Sequence, residues 1–158
     1  MVMKRTHNKD EIIQAGLDII HTRGFNGTGI EAILKQADVP KGSFYNFFSS
    51  KEEFGLAVID FFIAEMAALG QPIIEDISLS PLMRIRKSFE VLITRFEDNK
   101  CSKGCLIGNL SLEMSDQFEG VRQHLENALQ GWIDSLTAIL EEAREEADFC
   151  ASLAPSGY

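Results

Sequence analysis

Cysteine is scarce in this 158-residue chain, with only Cys101, Cys105 and Cys150 present. So few, and an odd number, excludes a disulfide framework as the organising device. Cys101-Ser-Lys-Gly-Cys105 has no histidine near it and His124 stands alone further on, so neither a metal nor another cofactor is expected. Paired catalytic carboxylates, a nucleophile with its base and a phosphate-cradling loop are all missing, which argues against an enzyme. Long apolar runs are lacking too. Ala57-Val-Ile59 and Phe61-Phe-Ile-Ala64 are cut by Asp60 and Glu65, short of the roughly 20 apolar residues that span a bilayer, so no transmembrane helix and no membrane partner are expected. Residues 1–23 have neither a continuous apolar stretch nor a small-residue cleavage site, and cytoplasm is the default location.

A surplus of basic charge is likewise absent, since the net charge is −9. Its distribution matters more than its sum. Residues 1–55 balance Lys4, Arg5, Lys9, Arg23, Lys35, Lys41 and Lys51 against seven acidic residues, whereas residues 56–158 hold 8 of the 15 basic and 17 of the 24 acidic residues. Phosphate binding needs a local cationic face and not a basic protein, so a DNA-facing module on an acidic body fits this asymmetry. Lys4, Arg5, Lys41 and Lys51 are its expected cations.

What is present is helical periodicity almost throughout, which predicts an all-α fold. Asn8 caps a first helix to Arg23 with Glu11 at the capping-box position, and Gly24 ends it. Phe25 is expected in the core beneath the next loop. Thr28 and Glu31 form a second capping box for a helix ending near Ala37, and Pro40 begins another. Two helices joined by so short a break make a helix-turn-helix, which can lay its second helix in the DNA major groove. Ser50 and Glu53 start a long helix expected to run to about Leu69, where Gly70 and Pro72 break it. Ser80-Pro81 opens a helix to about Asn99 with Leu82, Ile85, Phe89, Leu92, Ile93 and Phe96 on one stripe. A short helix is predicted over Cys105–Met114. Ser115 is expected to cap a last long helix whose stripe holds Phe118, Val121, Leu125, Ala128, Trp132, Leu136, Ile139 and Ala143, with a frayed tail from Phe149. The expected domains are residues 1–55, the DNA-binding unit, and 56–158, a helical regulatory unit.

The run Val39-Pro-Lys-Gly-Ser-Phe-Tyr-Asn-Phe-Phe-Ser-Ser-Lys-Glu52, with the capped helix after Arg23-Gly24-Phe25, resembles the DNA-binding domain of TetR-type transcriptional repressors over roughly residues 8–58. Gly104-Cys105-Leu-Ile-Gly-Asn-Leu-Ser-Leu-Glu113 resembles the subgroup that includes the repressor of N-ethylmaleimide reductase, whose members respond to electrophiles or oxidants through a cysteine after glycine. The resemblance implies a repressor that binds double-stranded operator DNA as a homodimer and is released by a small-molecule or electrophile inducer. It makes Tyr45 and Lys51 phosphate contacts. Lys41, Ser43 and Asn46 are the expected base-edge readers, and Gly42 lets the backbone approach DNA. Thr28, beside Gly29, either donates to phosphate from a helix N-terminus or serves as a cap alone. Phe44 and Phe48 are expected in the core.

Cys105 is read either as a sensor or as a buried small hydrophobe. Phe89, Phe96 and Trp132 are read as core residues or as the lining of an inducer pocket. Two further long helices usually follow in the family and build a four-helix dimer interface, so the regulatory domain here is expected to be shortened and to pair through another surface. The reading from a different class is a helical interaction protein that pairs with related regulators without holding DNA.

Overall fold

The computed structural model describes residues 8–153, with side chains to residue 147. Among the described residues there are seven helices and no strand: α1 Lys9–Arg23, α2 Ile30–Ala37, α3 Lys41–Tyr45, α4 Lys51–Ile74, α5 Pro81–Asp98, α6 Leu106–Met114 and α7 Glu119–Leu153. Lys4 and Arg5 lie outside the described residues, as does the side chain of Cys150.

The Asn8 side chain accepts from the Asp10 amide at 3.3 Å, and α1 stops where Gly24 takes a left-handed φ of 76°, a conformation that side chains disfavour. Ser50 Oγ accepts from the Glu53 amide at 3.0 Å and so starts α4. Its Glu53 partner reaches Ser49 rather than Ser50, accepting from the amide at 2.7 Å and the hydroxyl at 2.6 Å. Thr28 is a correction. It is fully buried and donates its hydroxyl to the Gly24 carbonyl at 2.7 Å, while Gly29 is the N-cap of α2 and offers no side chain. The preceding turn aims the hydroxyl back at α1, which local spacing does not reveal.

One apolar cluster joins the two halves. Ile12, Leu17, Ile20, Phe25, Ile33, Phe44, Phe48 and Phe54 pack in continuity with Val58, Ile59, Leu106, Ile107, Leu110, Met114 and Val121. The Phe44, Phe48 and Phe54 rings lie 5.0–5.3 Å apart, centroid to centroid. Two glycines permit this density: a Cβ on Gly16 would lie 2.1 Å from the Phe54 ring, and one on Gly55 would lie 2.7 Å from the Phe25 ring.

The long helix corrects a second expectation. α4 continues through Gly70 and Pro72 to Ile74, because a proline this close to the end removes only one donor and the Glu75 amide still closes on the Gln71 carbonyl at 2.9 Å. Uninterrupted, α4 is long and apolar enough to cross a membrane by length and composition alone, contrary to the reading of its short runs. Its first turns nevertheless carry Phe54, Val58, Ile59 and Phe62 into the core, and Glu65 pairs with Arg95 of α5 at 3.0 Å, so α4 is the spine of the fold.

α5 turns its less apolar side inward. Arg84 is buried, and Ser88, Val91 and Arg95 are partly covered; the Arg84 guanidinium donates to the Ile74 carbonyl at 3.0 Å and pairs with Glu142 of α7. Of the expected stripe, Ile85 is half-buried, whereas Leu82, Phe89, Leu92, Ile93 and Phe96 are left exposed, together with Leu129, Trp132, Ile133 and Leu140 of α7. Among the described side chains of α7, Val121, Leu125, Ala128 and Ile139 are buried. α7 starts at Glu119 without Ser115, which ends α6, and its backbone stays helical past Phe149 to Leu153.

Candidate nucleic-acid interface

α2 and α3 form the helix-turn-helix. Asp38, with φ 55°, ends α2, and Pro40 sets the start of α3 with its carbonyl accepting from the Ser43 amide at 2.9 Å. Phe44 anchors the five-residue α3 from beneath, so the residues around it face outward. Tyr45 is 54% exposed with its ring edge on Phe44, Asn46 and Gly42 are exposed, and Ser43 is half-buried. A Cβ on Gly42 would meet nothing within 4 Å, so no packing within the chain calls for glycine there. The same holds for exposed Gly29, which leaves the first amides of α2 without a side-chain cap.

The cations are less free than the sequence implies. Lys41 Nζ pairs with Glu31 of α2 at 3.3 Å, and Lys9 stands 5.2 Å from the centre of the Phe48 ring. Lys51 points inward: its ammonium donates to the Phe25 carbonyl at 2.7 Å and sits 4.2 Å from the centre of the Phe25 ring. Burial lowers its pKa, a shift partly opposed by Glu113. Lys51 thereby ties the α1–α2 turn to α4 while remaining partly exposed, a role the sequence does not reveal. Thr28, wholly enclosed, has no exposed atom to offer a phosphate.

The proposed sensing residues all lie at the surface. Phe89, Phe96 and Trp132 are 49%, 36% and 37% exposed, so they belong to an open surface and not to the core. The depression between α4 and α5 is lined by others, among them Leu69, Ile73, Val91 and Arg95. Cys105 is exposed at the N-cap of α6, which removes the buried-hydrophobe reading, and Cys101 is exposed as well.

Sequence reading misses the contacts between this cysteine segment and the DNA-reading half. His21 Nε2 lies 3.0 Å from the Gly104 carbonyl, and Lys103 Nζ lies 3.7 Å from Asp18. Glu113, at the other end of α6, accepts from the Asn26 amide at 3.0 Å, and Asn26 Nδ2 donates to the Glu113 carbonyl at 3.3 Å. Their partners lie 83–87 residues apart in the chain, beyond any local signal.

A short polar-faced helix held by an aromatic anchor, following α2 across a tight turn and joined by one long helix to a helical second half, defines a DNA-binding transcriptional regulator. Comparison with known proteins is specific about its kind. Residues 12–58 match the bacterial regulatory proteins of the tetR family, and residues 81–157 match the tetracyclin repressor-like C-terminal domain. The HTH-type transcriptional repressor DhaR of Mycobacterium sp. (strain GP1) is 33% identical over 153 residues, covering 97% of this chain and 75% of DhaR. Among solved structures, the regulatory protein TetR from Rhodobacter sphaeroides superposes with a TM-score of 0.81 at 34% identity, over 86% of this chain and 72% of that one. The reduced form of E. coli NemR does so with a TM-score of 0.79 at 32% identity, over 87% and 71%. The chain belongs to the TetR family, whose members are transcriptional regulators and not enzymes.

Proposed function

We propose that this regulator represses by holding a palindromic operator as a homodimer and releases it when a reactive electrophile or oxidant modifies Cys105. The observation that carries the sensing half is the exposure of Cys105 at the N-cap of α6, on a segment in contact with α1. An activated alkene would form a bond from the Cys105 thiolate sulfur to its β-carbon, with the π electrons passing toward the carbonyl and a proton from water completing the adduct. The likeness to the structure of NemR in its reduced form supports the same reading.

On the DNA side, the Tyr45 hydroxyl and the uncapped amides of α2 behind Gly29 take phosphates, and Lys41, Ser43 and Asn46 address base edges. Lys41 exchanges Glu31 for DNA as it does so, and Gly42 lets the backbone come close. Lys51 acts from behind, holding Phe25 and the turn. A homodimer supplies the second recognition helix that a site with half-sites about 34–36 Å apart requires.

The test measures affinity for a duplex enriched from a random pool, at several salt concentrations, before and after treatment with N-ethylmaleimide. Binding that weakens steeply with salt, with release by the reagent in the wild type and none in Cys105→Ser, is the expected result. Equal release in both proteins removes Cys105 as the sensor. The uncovered apolar stripe of α5 favours a second reading, a helical interaction protein that pairs with related regulators. Binding of no duplex by the folded protein would select it.

A further inference from the structure

We propose that Asp18 and His21 on α1 latch the segment carrying Cys105, and that the latch passes the state of this segment directly to the DNA-reading helices. The inference rests on the reading of Cys105 as the modified residue.

The segment between α5 and α6 is short and tightly turned. Lys100 and Cys101 both have φ 53°, Gly104 has φ 68°, and the Cys101 amide donates back to the Phe96 carbonyl at 2.8 Å. Asn109 of α6 donates from Nδ2 to the Lys103 carbonyl at 3.0 Å. These contacts shape the turn from its own side. What fastens it to the rest of the molecule is α1, where Asp18 and His21, three residues apart and thus on one face, take Lys103 and Gly104 respectively.

The carbonyl of Gly104 can only accept, so the bond requires the proton on Nε2 of His21. The ring is held in place, its edge on Phe62 of α4 with centroids 6.1 Å apart. Burial keeps the imidazole below its usual pKa, with Lys103 and Arg95 acting in the same sense, while the Gly104 bond and Asp18 oppose the shift. His21 therefore serves as a neutral, oriented donor. Gly104 shares its peptide group with Cys105, so the bond fixes the peptide plane from which the thiol projects.

α1 is also the helix on which the DNA-reading unit is built: Ile12, Ile13, Leu17 and Ile20 pack with Ile33 and Leu34 of α2 and with Phe44 of α3 in the shared core. A bulky adduct at Cys105 that displaces the Gly104 carbonyl releases His21 and Asp18 together. The Glu113–Asn26 contacts at the far end of α6 then remain as the second hold on the same half. His21 is a positioning residue in this scheme and touches neither DNA nor the electrophile.

Two measurements in a Cys101→Ser, Cys150→Ser background test it. The first is the rate of Cys105 alkylation by N-ethylmaleimide, followed by intact mass, for His21, His21→Ala and His21→Gln. Loss of the donor is expected to raise the rate about threefold to tenfold, the range that one side-chain-to-backbone hydrogen bond commands, and glutamine, whose Nε2 can still donate, to restore it to within about twofold. An unchanged rate in His21→Ala overturns the latch. The second is DNA affinity before and after alkylation. The loss on alkylation should be smaller in His21→Ala than in the background protein, because the variant has already lost the connection; an equal loss in both overturns the route through α1. If alkylation leaves DNA affinity unaltered in the background protein, the sensor reading and the relay both fall, while the alkylation rates still decide whether His21 positions the segment.

Discussion

Gly42→Ala separates what the fold asks of α3 from what DNA asks of it. Gly42 is exposed within α3, its φ is not left-handed, and an added Cβ meets nothing within 4 Å. Within the free protein, alanine therefore meets no steric objection and restricts the unfolded chain, a gain of about 0.5–1 kcal/mol in a helix. For a chain of this size that is an increase in Tm of about 1–4 °C. At the interface the sign reverses. A methyl group on the surface that approaches the groove holds the backbone off the phosphates, and affinity for the enriched duplex should fall by about tenfold, or ~1.4 kcal/mol. Thermal melts followed by circular dichroism and titration of a labelled duplex give the two numbers. A raised Tm with unaltered affinity would refute the placing of Gly42 against DNA. A lowered Tm would refute the reading of its surroundings as open.

Three further outcomes follow from particular contacts. Gly16→Ala, which drives a Cβ into the Phe54 ring at 2.1 Å, should destabilise the protein by about 1–3 kcal/mol in urea unfolding, despite alanine's better helix propensity. Thr28→Val keeps the buried shape but leaves the Gly24 carbonyl without its donor, so it should cost about 1 kcal/mol in the same assay and leave DNA affinity unchanged; a selective loss of affinity would return Thr28 to the interface. The lowered pKa of His21 means that the unfolded chain takes up a proton before the folded one does. The stability advantage of the wild type over His21→Gln should accordingly be full above the ordinary histidine value of 6.5 and decline as pH falls below it through the folded pKa, as read from unfolding curves between pH 5 and pH 8.

The sequence by itself determined the features that arise within a turn or two of chain. Asn8, Gly24, Ser50 and Pro81 mark helix ends because a cap, a left-handed glycine or a first-turn proline acts on amides only a few residues away. The order of helices and the aromatic anchor of α3 were legible for the same reason, and with them the match to a DNA-reading element. Tertiary structure decided what each face meets. Periodicity groups Leu82, Phe89, Ile93 and Phe96 on one side of α5, yet α5 packs through Arg84, Ser88, Val91 and Arg95, because cover is a property of neighbouring helices and not of the stripe. Thr28 has the composition of a phosphate ligand, and only the placement of Gly24 shows its hydroxyl buried and already bonded, just as only the placement of Phe25 shows that Lys51 also holds the turn after α1. The contacts of His21, Asp18 and Asn26 with the segment from Lys103 to Glu113 lie beyond local reading altogether, since they depend on the tertiary fold bringing the two ends of this segment to α1 and the turn after it.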